Sequence, residues 1–74
     1  MTAHGEEDAR ERGAALARAD WPGLAHLDEL LRQAEAAYTA AHANDAEVDH
    51  HLYVIRFLEA WLMETGKLLA QGRE

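Results

Sequence analysis

Two stretches of the chain carry apolar residues at helical spacing. Leu24, Leu27, Leu31, Ala34, Tyr38 and Ala41 recur at alternating steps of three and four, which places them on one helical face and predicts a helix from Trp21 to Ala43. Val48, Ile55, Leu62 and Leu69 fall seven apart, with His51, Leu58 and Thr65 between them, and predict a second helix from Ala46 to Ala70. The run Tyr53, Val54, Ile55 has strand propensity, but a heptad pattern sustained over more than twenty residues outweighs it. Asp20 is placed to cap the earlier helix, with Pro22 in its first turn, where a missing N–H costs nothing. Asn44 suits its end because asparagine tolerates the left-handed conformation. Asn44 or Asp45 can then cap the later helix, and Asn44 with Glu47 has the spacing of a capping box.

The segment before these helices, Glu6 to Ala19, reads differently. Its Glu6–Arg10 and Asp8–Arg12 pairs at i,i+4 favour a helix, but Leu16 is its only large apolar residue and Gly13 interrupts it. A helix with so little to bury is marginal in water, so we expect it frayed or loosely docked. Residues 1–20 therefore read as a polar N-terminal segment and 21–74 as a helical hairpin domain.

A short connection forces neighbouring helices antiparallel. Positions whose numbers add to about 89 should then be level, pairing Ala41 with Val48, Tyr38 with His51, Ala34 with Ile55, Leu31 with Leu58 and Leu27 with Leu62. Small meets branched and large meets large, as interdigitated packing requires. This seam leaves a second apolar flank unused, made of Leu30, Tyr53, Val54, Phe57, Trp61 and Leu68. A flank rich in aromatic residues suggests an interface, and two hairpins packed through it would form a four-helix bundle. The expected fold is all-α: an antiparallel helical hairpin with a loosely docked N-terminal helix, dimerising into a four-helix bundle.

Composition narrows the function. The chain has 74 residues, no cysteine, and fourteen acids against seven Lys and Arg for a formal charge of −7. A domain this small needs help from a disulfide, a metal or self-association, and the first is excluded. The acidity argues against nucleic acid as a partner. No apolar run reaches the ~20 residues of a membrane span, and the amino terminus, MTAHGEEDARERG, is acidic where a signal peptide is basic and then apolar. These features predict a soluble cytoplasmic protein. With no serine or cysteine, covalent hydrolytic chemistry has almost nothing to use, and the glycines form no phosphate-cradling loop.

The remaining chemistry lies in His42-Ala-Asn-Asp-Ala-Glu47-Val-Asp-His50-His51. Glu47 and His50 have an i,i+3 spacing that resembles the carboxylate-bridged metal sites of ferritin-like bundles. The likeness covers four residues, and the facing helix lacks the matching carboxylates. His42, Glu47 and His50, supported by Asp49 or His51, are the candidate ligands for a divalent transition metal, completed across a dimer axis. His51 falls on the seam, where its expected role is a core hydrogen bond to Tyr38; protonating it there would loosen the bundle near or below about pH 6. Using the same pair as acid and base would make an enzyme, but no second polar cluster exists to hold a substrate. Trp21 beside Pro22 reads as a hydrophobic staple or interface anchor. The reading this favours is a non-enzymatic interaction module, an accessory, adaptor or inhibitory subunit that binds a second copy of itself or a larger protein. The metal-binding bundle is its alternative.

Overall fold

The computed structural model describes residues 4–20 and 27–72. Among them are three helices and no strand: α1 (Glu6–Asp20), α2 (Leu27–Asn44) and α3 (His50–Gly72). The expected start of the second helix at Trp21, the capping by Asp20, and the roles of Pro22, Trp21 and Leu24 lie outside the described residues and side chains.

The direction of the helices follows from which ends meet. Asp8 near the start of α1 accepts a hydrogen bond from the Tyr53 hydroxyl near the start of α3 at 2.8 Å, and Arg18 near the end of α1 lies 3.5 Å from Glu64. Those two helices are parallel. Ala41 and Asn44, at the end of α2, border the same cleft as Gly5 and Asp8, so α2 runs antiparallel to both.

Docking of α1 departs from expectation. It forms the larger of the two helix interfaces of α3, because its buried side is a row of small residues one turn apart: Ala9, Gly13 and Ala17, all buried. Small residues at four-residue spacing let two backbones approach closely, as they do in membrane helix pairs. Gly13 is the closest point of that contact, since a Cβ built there would lie 3.0 Å from the Phe57 carbonyl carbon and nearer still to its oxygen. Leu16 packs at the edge of the same core. Polar groups flank the row: Glu6 accepts from Arg56 Nε at 2.7 Å and from Arg10 at 2.9 Å.

The turn into α3 also differs. Asp45 opens it, its Oδ1 accepting from the Glu47 N–H at 3.0 Å and its carbonyl from the Val48 N–H at 3.1 Å. The helix begins at His50 because Asp49 is its cap, with Oδ2 accepting from the Leu52 N–H at 2.8 Å. Val48 and Tyr53 stand at the staple positions on either side of that cap, and both are buried in one core cluster. Asn44 closes α2 without left-handed backbone, since no described residue except glycine has positive φ; its side-chain amide donates to the Ala40 carbonyl at 3.3 Å. The positive φ belongs to Gly5, at 77°, which starts α1 close against Val48 and Tyr53.

The core is Ala9, Leu30, Ala34, Val48, Tyr53 and Phe57, edged by Leu16, Ala37, Tyr38, Ala41, Val54, Leu58 and Trp61. The flank read as free is thus largely inside. The seam is divided: Ala34 and Val48 lie in the core and Tyr38, Ala41 and Leu58 edge it, while Leu27 is 67% exposed, Leu62 66%, and Leu31, Ile55 and Leu69 are also exposed. The cause is rotation about the axis of α3. Seating Tyr53 and Phe57 on α1 turns the helix, and at about 100° per residue the seam positions swing toward solvent.

Candidate functional site

Two surfaces concentrate the residues that could act, and the first surrounds the α2–α3 turn. The turn's own hydrogen bonds fix Asp45, and the start of α1 brings His4 against it: His4 Nδ1 lies 2.8 Å from Asp45 Oδ2, and Nε2 lies 3.9 Å from Glu47. The hydrogen bond from His4 to Asp45, and then the negative charges of Asp45 and Glu47, raise the His4 pKa above the ordinary histidine value. The same hydrogen bond, together with that from the Glu47 N–H, lowers the Asp45 pKa. At the first residue of α3, His50 Nε2 meets both Glu35 carboxylate oxygens at 2.7 and 2.9 Å. Its ring centroid lies 4.6 Å from that of Tyr38, which His42 also approaches at 5.4 Å.

The candidate ligands are therefore dispersed. His42 lies against Tyr38, Glu47 is beside His4, and His50 is engaged by Glu35. Among the described residues no three His, Asp or Glu side chains converge as a metal-ligand set, and Asp49 is occupied as the helix cap. His51 is exposed and is not the partner of Tyr38; the expected level was right, but the rotation of α3 presents His50 and Tyr53 to that ring instead. Sequence reasoning missed His4 and Glu35 as partners. Glu35 was legible as a residue about one helical turn from Tyr38, whereas His4 was not, because nothing local tied the start of the chain to the turn.

No protein-family model, curated protein or solved structure matches this chain.

The second surface concentrates exposed large apolar residues, Leu27 and Leu31 on α2 and Ile55, Leu62, Met63 and Leu69 on α3. On α2, Gln33, Ala36, Ala37 and Ala40 line a cleft of about 470 Å³ shared with Arg12, Ala15, Leu16 and Ala19 of α1, so that side of α2 faces α1. Leu27 and Leu31 share a different side. On α3, Tyr53, Phe57 and the ion-paired Arg56 and Glu64 face α1, leaving Ile55, Leu62 and Leu69 on another. Seven-residue spacing aligns the latter three over four turns. Of the expected interface set, Leu30, Tyr53 and Phe57 are buried, and Val54, Trp61 and Leu68 are half-buried. None of the described helices is long and apolar enough to cross a membrane.

Proposed function

We propose that the protein is a small helical interaction module that associates with a second copy of itself through Leu27, Leu31, Ile55, Leu62 and Leu69. The observation that carries this reading is the exposure of Ile55, Leu62 and Leu69 at seven-residue spacing on α3, together with that of Leu27 and Leu31 on α2. Stripes of this period are self-complementary across a two-fold axis, each side chain entering a hole between four others. The α2–α3 faces of two copies then form the four-helix layer, with α1 on its outer sides.

The energetics favour a second copy. Among the described residues the core cluster holds three large side chains, Leu30, Tyr53 and Phe57, beside Val48 and two alanines, so a single copy gains little from burial and is marginal for its size. Completing the burial of five large aliphatic side chains on each of two copies is worth on the order of 10 kcal/mol. Association costs begin near ~4 kcal/mol and rise with the ordering required. Sedimentation velocity tests the proposal: the wild-type chain should sediment as a dimer, and Leu62→Glu as a folded monomer. A wild-type chain that stays monomeric at the highest soluble concentration overturns it.

A further inference from the structure

We propose that the end of the molecule around the α2–α3 turn is an acid-fastened clasp, in which protonated His4 ties the start of α1 to the turn, beside the contact by which His50 joins the start of α3 to α2.

The clasp is built from contacts between parts of the chain remote in sequence. His4 precedes α1 and meets Asp45, forty-one positions away; His50 opens α3 and meets Glu35, fifteen positions back on α2. Every element packed around the two rings presents a group with a sign. The turn presents Asp45 and Glu47 to His4. Helix α2 presents Glu35 and the Tyr38 ring to His50. From α1, Asp8 and Arg12 border the cleft that Asp45 also lines, and they pair with each other at 3.0 Å. His42 and His50 approach the same Tyr38 ring, with Glu35 beside His50. His42 also lies in the last turn of α2, where a positive charge suits the carbonyl end of the helix dipole.

The sign follows from linkage. For His4 the folded-state pKa is raised by Asp45 and Glu47, so its contribution is full below the ordinary value near 6.5 and is lost as pH rises through the elevated one. Acidification from about pH 7.5 to about pH 5.5 therefore tightens this end. A histidine buried at position 51 would have done the opposite. The His4 ring is more than half exposed, so solvent screening holds the effect to that of a surface pair.

The test uses the full chain at one fixed concentration. The wild-type melting temperature should be about 2–6 °C higher at about pH 5.5 than at about pH 7.5. A His4→Gln variant should lose most of that gain, while His51→Gln keeps it. In proton NMR, the His4 ring should titrate above the ordinary value and return to it in Asp45→Asn. A wild-type melting temperature unchanged or lower at the acidic pH, a gain that survives in His4→Gln, or a His4 midpoint at or below the ordinary value overturns the clasp. The NMR titration of the wild type stands whether or not the variant folds.

Discussion

Gly13 lies directly against the Phe57 backbone, so close that a methyl group on its Cα would enter the van der Waals shell of the Phe57 carbonyl. The neighbour is main chain in the middle of α3 and cannot rotate away. Gly13→Ala adds helix propensity worth about 1 kcal/mol, but overpacking a close helix contact costs about 1–3 kcal/mol, and more where backbone must move. The expected outcome is a net loss, with a melting temperature lower by several degrees. Thermal melting of the variant by circular dichroism checks it; a melting temperature at or above wild type contradicts the close approach.

Gly66 is the internal contrast. It is exposed in α3, and a Cβ there would meet nothing within 4 Å. Gly66→Ala should therefore gain about 0.5–1 kcal/mol from propensity and reduced unfolded-state entropy. The same substitution at two helical glycines thus changes stability in opposite directions, which chemical denaturation of the pair measures directly.

Tyr53 is 1% exposed and donates to Asp8. Burial first, and then the hydrogen bond and charge of Asp8, raise its pKa well above the ordinary phenol value. The neutral phenol therefore contributes stability that is intact below about pH 10 and is lost as pH rises toward the folded-state value. In an absorbance titration, one tyrosine should ionise only together with alkaline unfolding, and Tyr53→Phe should remove that step. The hydroxyl's loss should cost about 1 kcal/mol, a modest figure because Asp8 keeps Arg12 and is itself half exposed.

Trp61 and Leu62 are adjacent in sequence yet sit on different sides of α3. Trp61 packs against the core, while Leu62 is 66% exposed. Trp61→Glu should unfold the chain, since a carboxylate there meets the packed side of the helix without a partner; Leu62→Glu should leave helicity intact and abolish self-association. Added salt should strengthen the wild-type dimer, because two copies each carrying −7 repel at low ionic strength. Dichroism and sedimentation on both variants, with a salt series on the wild type, separate these outcomes.

Much of this fold is legible from spacing. Helices α2 and α3 follow from local apolar period, as does the antiparallel level that puts Tyr38 opposite the start of α3. The Glu6–Arg10 and Asp8–Arg12 pairs form as the i,i+4 rule predicts. The rotation of α3 was not legible. Its apolar residues cover more than half of its circumference, so either Ile55 with Leu62 or Tyr53 with Phe57 satisfies the pattern, and helical period alone cannot rank two apolar sides. The turn's histidines were misread for the same reason, since His50 and His51 exchange roles with one residue's rotation.

What local sequence determined is where helices form and which ends meet, because hydrogen bonding within a helix and a short connection act over a few residues. Tertiary structure decided which side of α3 is core. The deciding element is α1, whose Ala9, Gly13 and Ala17 carry almost no apolar bulk and so look inert in a search for large side chains. Their smallness is what brings two backbones together, and the value of a small residue depends on the surface it meets. With α1 seated on Tyr53 and Phe57, Leu62 turns outward, His50 finds Glu35, and His4 reaches Asp45.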